Sequence, residues 1–233
     1  MSEVALVTGG GKGIGLAIVD RLAERGFTVY QGIRGEAAAR PGIRPLRLDV
    51  TGPESAEAAV STIEAEAGRL DVLVNNAGIM TEWGIPVTGV TAAHLREVYE
   101  VNVFGVVTMI SACVPLLRRS PNPRIVNISS GLGSLTVLSD PGSRAFLAYS
   151  SSKAALNALT LIYANALRAD GIKVNAASPG LVPTDQNAAA PFPRGDRTTA
   201  DGAVVPVELA TLPVDGPTAA FRGPDSLDDV IPW

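Results

Sequence analysis

Short apolar runs alternate with longer amphipathic segments from one end of the chain to the other. A short apolar run bounded by turn residues predicts a buried strand, and apolar positions at helical spacing predict a helix. We predict strands at Val4–Val7, Phe27–Ile33, Arg44–Leu48, Asp71–Val74, Arg124–Ile128, Lys173–Ala177 and Ala219–Phe221. We predict helices at Gly13–Arg25, Pro53–Ala67, Thr91–Arg118, Tyr149–Arg168 and Ala203–Leu212. Pro115 is expected to end or kink the third of these helices.

The alternation of strands and helices predicts an α/β fold. Its sheet should be doubly wound, mostly parallel and Rossmann-like, with helices on both faces. No linker divides the chain, so residues 1–233 are expected to form a single domain. Ligands of such sheets bind beyond the carboxyl ends of the strands. Residues that follow the predicted strands are therefore the first candidates for a functional site.

Composition and charge narrow the possible partners. The formal net charge of −4 argues against nucleic acid, because non-specific binding needs a basic face. We find no signal-peptide pattern and no stretch approaching the roughly 18 consecutive apolar residues of a membrane span, so no membrane partner is expected. Cys113 is the single cysteine, which excludes an internal disulfide and favours a cytoplasmic location. No Cys/His cluster has metal-ligand spacing, so no metal site is predicted.

A glycine-rich turn follows the first predicted strand. It reads Thr8-Gly9-Gly10-Gly11-Lys12-Gly13-Ile14-Gly15, which is T-G-x-x-x-G-x-G rather than the G-x-G-x-x-G fingerprint. Glycines let backbone N–H groups approach a pyrophosphate, and the helix starting near Gly13 directs its positive dipole end at the anion. The turn therefore predicts a nucleotide site, with a merely tight strand-to-helix turn as the alternative. Its candidate contacts are Gly9, Gly11, Lys12, Gly13, Ile14 and Gly15.

The end of the second predicted strand bears on the identity of the nucleotide. NAD sites usually place an acidic residue there to bind the ribose 2′-hydroxyl. Here the sequence is Tyr30-Gln31-Gly32-Ile33-Arg34, which has no acid and offers a guanidinium for a 2′-phosphate. Lys12 is a second candidate cation. We therefore favour NADP(H) over NAD(H) as the cofactor, with two ordinary solvated cations as the alternative.

A tyrosine and a lysine stand four residues apart at the start of a long predicted helix. Tyr149 and Lys153 therefore share one helical face. A nearby ammonium favours the phenolate and should lower the tyrosine pKa from its usual value of about 10. Tyr149 is thus a candidate general acid or base. By spacing alone such a pair is common, and its significance depends on the other motifs.

Further motifs occur in a fixed order along the chain. They are Asp49-Val50, Asn75-Asn76-Ala77-Gly78, Asn102, Asn127-Ile128-Ser129-Ser130 and Pro179-Gly180-x-Val182-x-Thr184. Together with the glycine turn and the Tyr149/Lys153 pair, they extend over most of the chain. In this combination the chain resembles the short-chain dehydrogenases/reductases of the compact, single-domain, carbonyl-reductase-like kind.

The resemblance implies a role for each matching residue. Tyr149 would exchange the proton with the substrate oxygen, and Ser130 would hydrogen-bond that oxygen. Lys153 would lower the tyrosine pKa and hold the nicotinamide ribose, and Asn102 would hold a water that links Lys153 to solvent. Asp49 and Val50 would contact adenine. The remaining cofactor contacts would be Asn76, Ala77, Gly78, Pro179, Gly180, Val182 and Thr184.

The chain departs from the family pattern between its serine and its tyrosine. The separation of Ser130 from Tyr149 is longer than usual, and the extra residues fall in Ser134–Phe146, as an insertion at the rim of the site. The working serine is therefore either Ser129 or Ser130, and family position favours Ser130. The stretch 182–200 is the expected substrate loop, a mobile and mostly apolar cover that includes Phe192.

These inferences predict an NADPH-dependent oxidoreductase that reduces a ketone, aldehyde or quinone to the alcohol, reversibly. One alternative is an NAD-dependent secondary alcohol dehydrogenase of the same fold. Another is a non-catalytic NADP-binding regulatory protein. The expected partners are a small carbonyl or alcohol substrate and, by resemblance, further copies of the chain in a dimer or tetramer. Trp83 and Trp233 are candidates for contacts with the substrate or an interface.

Overall fold

One parallel sheet organises the computed structural model, which describes residues 2–233. Its strands are β1 (Val4–Thr8), β2 (Thr28–Ile33), β3 (Ile43–Arg47), β4 (Val72–Asn75), β5 (Arg124–Ile128), β6 (Lys173–Ala177) and β7 (Phe221–Arg222). They lie in the order β3-β2-β1-β4-β5-β6-β7, and each neighbouring pair is parallel. The strand order reverses beside β1, at the point where such sheets bind ligands. The predicted α/β fold class is confirmed.

Helices cover both faces of the sheet. They are α1 (Gly13–Glu24), α2 (Pro53–Ala67), α3 (Ala92–Tyr99), α4 (Gly105–Leu117), α5 (Leu135–Leu138), α6 (Leu147–Ala166), α7 (Thr199–Gly202) and α8 (Val204–Ala210). On one face Leu6, Met109 and Ile110 belong to a buried cluster under α2, α4 and α6. On the other face Val7 and Ile18 belong to a second cluster under α1 and α8. Because side chains on both faces are buried, the central strands are apolar throughout rather than alternating.

The long helix predicted at Thr91–Arg118 is interrupted by a π-helical turn at Glu100–Phe104. The helix does not end at Pro115, one of the two outcomes expected there, because α4 continues through this residue and ends at Leu117. Proline removes one hydrogen bond to the preceding turn, but Pro115 is exposed and lies near the helix end. Leu116 and Leu117 beside it are buried and hold this last turn against the core.

The helical stretch Ala92–Leu117 is long and apolar enough to cross a membrane by length and composition. Half of its most apolar window is buried within the protein. Met109, Ile110, Cys113 and Leu116 pack from α4 into the core under the sheet. Its apolar character is therefore accounted for by packing in the fold.

Trp233 packs against the edge of the sheet. Its ring stacks on Phe221 of β7 with a centroid separation of 5.3 Å. Its backbone carbonyl accepts hydrogen bonds from Thr136 Oγ1 at 3.0 Å and from Thr136 N at 3.2 Å. Of the two tryptophans that were candidates for substrate or interface contacts, Trp233 packs against its own fold.

Cys113 provides a chemical test of the packing under α4. The thiol is fully buried, and burial raises its pKa to about 12. Alkylation needs an accessible thiolate, so we expect iodoacetamide to label the native protein far more slowly than the chain unfolded in urea. Mass spectrometry gives both rates, since the chain has no other cysteine. Equal rates in the two states would contradict this packing.

Candidate active site

A cleft of about 1210 Å³ opens beyond the carboxyl ends of β1, β4, β5 and β6. Arg34 and Asp49 lie at one end, and Trp83, Arg144 and Phe192 lie at the other. The cleft brings together nearly all residues that the sequence singled out. Those lining it are Gly9, Gly11, Lys12, Gly13, Ile14, Gly15, Arg34, Asp49, Val50, Asn76, Ala77, Gly78, Ser130, Tyr149, Lys153, Pro179, Gly180, Val182 and Thr184.

The glycine turn is held by the loop after β4. Gly9 and Gly13 have left-handed φ angles of 63° and 58°, which favour glycine. The Asn76 amide donates to the Thr8 carbonyl at 2.9 Å and to the Gly9 carbonyl at 3.2 Å. A Cβ on Gly15 would stand 2.4 Å from both Asn76 Nδ2 and Gly9 O, so only glycine fits there. Asn76 therefore fixes the shape of the turn from which α1 begins.

The two cations predicted for a 2′-phosphate have different surroundings. Arg34 lines the cleft at its Asp49 end and is in none of the ion pairs among residues 2–233. Lys12 instead pairs with Asp185 of the substrate loop at 2.8 Å, with both side chains 76 % exposed. Such an exposed pair contributes little stability. Arg34 is thus the better placed of the two for a phosphate.

Asp49 is fixed by the turn that follows it. Its Oδ1 accepts from Thr51 N at 3.0 Å and from Thr51 Oγ1 at 2.7 Å. These two bonds, with a smaller contribution from the charge of Arg34, hold the pKa of the Asp49 carboxyl below its usual value. The carboxylate is therefore ionised near neutral pH, on the same side of the cleft as Arg34.

Tyr149 and Lys153 extend into the cleft from the first turns of α6. Lys153 Nζ stands 5.6 Å from the centroid of the Tyr149 ring and donates to the Ile128 carbonyl at 2.8 Å. Burial lowers the lysine pKa to about 8. The predicted lowering of the Tyr149 pKa is wrong: burial raises it, and hydrogen bonds with the Ser130 and Gln186 side chains offset only part of the rise. Desolvation of the phenolate outweighs its stabilisation by neighbouring dipoles.

The two candidate serines have different partners. Ser129 Oγ is buried and donates to Asn157 Oδ1 at 2.6 Å. Ser130 interacts with Tyr149 and accepts from Leu132 N at 3.2 Å, which begins the turn Gly131–Gly133. The geometry favours Ser130 as the serine that faces a substrate.

The insertion between Ser130 and Tyr149 is folded rather than looped out. It contains α5 and a turn at Asp140, whose Oδ1 accepts from Gly142 N at 2.9 Å. Before α5, a Cβ on Gly133 would lie 2.6 Å from the Lys153 backbone carbon. This close approach sets the Ser130 turn directly against α6, so the longer spacing does not move the serine away from the tyrosine.

Asn102 lies behind the cleft in the π-helical turn. It is fully buried, accepts from Ile79 N at 2.8 Å, and donates to Ile79 O and to Ser152 Oγ, each at 3.0 Å. It therefore joins the loop after β4 to α6. A Cβ on Gly78 would lie 3.3 Å from Asn102 Oδ1 and 3.5 Å from Lys153 Nζ, which places the three residues side by side. The water-mediated relay through Asn102 stays a prediction.

Comparison with known proteins decides the family. The family model described as short chain dehydrogenase matches residues 3–192. The chain belongs to the short-chain dehydrogenases. Short-chain dehydrogenase/reductase 1 of Saponaria officinalis is 32 % identical over 93 % of this chain and 92 % of its own length. The (+)-neomenthol dehydrogenase of Capsicum annuum is 30 % identical over 94 % of this chain and 95 % of its own length. The NADPH-bound carbonyl reductase from chicken fatty liver superposes with a TM-score of 0.85 at 28 % identity, covering 100 % of this chain and 99 % of that one.

A buried carboxylate that the sequence analysis missed supports the active site of this short-chain dehydrogenase. Glu82 follows β4 and is 1 % exposed. Its carboxylate accepts from Tyr149 N at 2.6 Å and from Ala148 N at 3.1 Å, both in the first turn of α6. The residue before this helix is Phe146, which has no side-chain oxygen to cap it. The lack of a capping side chain just before this helix is the signal in the sequence for an acceptor from elsewhere in the fold.

The cleft beyond Tyr149 is aromatic. Trp83 packs edge-on against Phe146 and Phe192, with centroid separations of 5.3 and 5.7 Å. Its indole Nε1 donates to the Gln186 carbonyl at 2.8 Å, which ties the substrate loop to the loop after β4. The sequence is compatible with a Trp83 contact to either the substrate or an interface. In the structure, Trp83 lies in the wall of this short-chain dehydrogenase cleft.

Replacement of Glu82 tests its support of α6. Glu82→Ala leaves two buried N–H groups unpaired, so we expect a loss of about 2–3 kcal/mol in the free energy of unfolding. Glu82→Gln keeps one acceptor and should lose less. Urea unfolding followed by circular dichroism measures both changes.

Glu57→Ala is the matched control, because Glu57 is exposed on α2. A Glu82→Ala variant no less stable than this control would contradict a supporting role for the buried carboxylate.

Proposed function

We propose that this short-chain dehydrogenase is an NADPH-dependent reductase that converts a ketone, aldehyde or quinone carbonyl to the alcohol, reversibly. The observation that carries the proposal is that Tyr149, Ser130, the glycine turn and Arg34 all line the same cleft. A proton donor, an oxygen-orienting hydroxyl and a phosphate-binding turn thus share one cavity.

The residues of the cleft fit a dinucleotide. The turn from Gly9 to Gly15 excludes side chains where the backbone would meet a pyrophosphate, and α1 begins there. Thr184 approaches the turn, since a Cβ on Gly13 would lie 3.6 Å from Thr184 Cγ2. A nicotinamide dinucleotide, when bound, supplies or accepts the hydride. The residues proposed to hold its nicotinamide end are Lys153, Pro179, Gly180, Val182 and Thr184.

Tyr149 is suited to donate a proton. Because burial raises its pKa, the phenol stays protonated near neutral pH and is ready to protonate a carbonyl oxygen that gains charge. Ser130 would hydrogen-bond the same oxygen and orient it. Lys153, with a pKa of about 8, remains largely an ammonium at neutral pH and can hold hydroxyl groups of a ribose.

The preference for NADP(H) rests on Arg34. No acidic residue ends β2, and the guanidinium of Arg34 lines the adjacent cleft. Two similar structures are described with this cofactor, the carbonyl reductase from chicken fatty liver bound to NADPH and ElxO bound to NADP. The rivals are an NAD-dependent secondary alcohol dehydrogenase and a non-catalytic NADP-binding regulator. The homo-oligomer and the cytoplasmic location stay predictions.

Tyr149→Phe tests the catalytic assignment. Removal of the proton donor should lower kcat by a factor on the order of 10²–10⁴, with the NADPH dissociation constant nearly unchanged. Carbonyl-dependent loss of NADPH absorbance gives kcat, and quenching of protein fluorescence gives the dissociation constant. Tyr163→Phe on the same helix is the control, because Tyr163 packs against the core. A Tyr149→Phe enzyme that keeps most of its activity would contradict the assignment of Tyr149 as the proton donor.

Arg34→Ala tests the cofactor preference. Loss of a charge-assisted contact with a 2′-phosphate should weaken NADPH binding about 10-fold or more and leave NADH binding unchanged. Parallel fluorescence titrations with the two cofactors measure both effects. Arg40→Ala removes the same charge from an arginine paired with Asp20, and should change neither. Equal effects of Arg34→Ala on the two cofactors would favour the NAD-dependent rival.

A further inference from the structure

Two separate segments meet at the mouth of the aromatic end of the cleft. Arg144 lies in the insertion that separates Ser130 from Tyr149, and Phe192 lies in the substrate loop. The guanidinium carbon of Arg144 stands 3.7 Å from the centroid of the Phe192 ring. Both residues line the cavity that contains Tyr149. We call this pair of residues the Arg144–Phe192 rim.

The insertion holds Arg144 in place through its own backbone. Ser143 Oγ donates to the Val137 carbonyl at 2.6 Å, and Ser143 N donates to the Asp140 carbonyl at 2.9 Å. On the opposite side, Phe192 packs against Trp83. The guanidinium is therefore positioned by folded segments on both sides of the mouth.

The charge of Arg144 has no partner within residues 2–233: it forms no ion pair and donates no side-chain hydrogen bond there. Of the other cations that line the cleft, Lys12 pairs with Asp185 and Lys153 donates to the Ile128 carbonyl, whereas Arg34 lies at the opposite end. Stacking on a ring uses only the flat face of a guanidinium. The N–H donors in its plane stay free for a planar acceptor, and carboxylate geometry matches them.

The residues around the Arg144–Phe192 rim indicate the shape of the ligand beyond its acidic group. Trp83, Phe146 and Phe192 pack together as an apolar aromatic wall of the same cleft, and Arg144 stacks on Phe192 of this wall. Flat rings pack well against such walls in edge-on or offset arrangements. A ligand that places its carbonyl at Tyr149 and Ser130 would lay its apolar body on this wall and its far end at Arg144.

We propose that the Arg144–Phe192 rim is a carboxylate subsite, and that preferred substrates are flat or aromatic carbonyl compounds with an acidic group at the end remote from the carbonyl. This inference rests on the proposed function, since it names the substrate class of the same site. Arg144 acts here as a specificity residue, with no part in proton or hydride transfer.

A matched pair of aldehydes tests the subsite. 4-Formylbenzoate and 4-formylbenzamide have the same shape and reactive group and differ in charge. We expect kcat/KM with NADPH to favour the carboxylate, and Arg144→Gln to reduce the carboxylate-to-amide ratio about 10-fold through KM. Added salt should reduce the ratio in the unchanged enzyme. Arg168→Gln, which removes the same charge from outside the cleft, should leave the ratio unchanged.

Binding of the alcohol products gives a readout that does not need turnover. Quenching of protein fluorescence, to which Trp83 in the wall contributes, reports binding of 4-(hydroxymethyl)benzoate and of its amide. Tighter carboxylate binding that Arg144→Gln abolishes supports the subsite even if neither aldehyde is reduced, in which case the proposed function fails alone. If both aldehydes are reduced and Arg144→Gln does not change the carboxylate-to-amide ratio of kcat/KM, the subsite is overturned and the proposed function stands. Equal binding of the two alcohols to both forms overturns the subsite as well.

Discussion

The arrangement of the proposed catalytic residues depends on a buried carboxylate at the start of a helix. Removing Glu82 from water costs several kcal/mol unless its oxygens are well bonded. None of the ion pairs within residues 2–233 includes Glu82, and its oxygens are satisfied by Tyr149 N and Ala148 N. The positive end of the α6 dipole adds to these bonds. The carboxylate thus fixes the backbone of Tyr149 relative to the loop after β4.

The same loop shapes the cofactor end of the cleft. Asn76 bonds the carbonyls of the glycine turn, Ile79 is bonded through both backbone groups to Asn102, and Glu82 holds α6. The glycine turn, the π-helical turn and α6 are therefore all hydrogen-bonded to the loop after β4. Their positions follow from hydrogen bonds to one loop rather than from separate contacts.

Local chemistry made much of this site predictable. Parallel strands buried on both faces give apolar runs that stand out in the sequence, and strand ends locate Asn76, Ser130 and Pro179. What could not be predicted depends on tertiary contacts. Lys12 meets Asp185 from 173 positions away, and nothing near either residue signals the pair. The predicted lowering of the Tyr149 pKa was wrong for a related reason. Sequence spacing reveals the neighbouring lysine but not how deeply the phenol is buried.

The loop at residues 182–200 contributes to the surroundings of the Tyr149 phenol. Gln186 belongs to this loop, and its side chain hydrogen-bonds Tyr149 in the direction that lowers the tyrosine pKa. Its backbone carbonyl is held by Trp83 Nε1, so the position of the loop is set by the same aromatic wall that faces a substrate. Movement of the loop away from this wall would remove that bond and would also expose the phenol to water, two changes with opposite effects on its pKa. The position of the loop and the surroundings of the Tyr149 phenol are therefore linked through one glutamine and one indole.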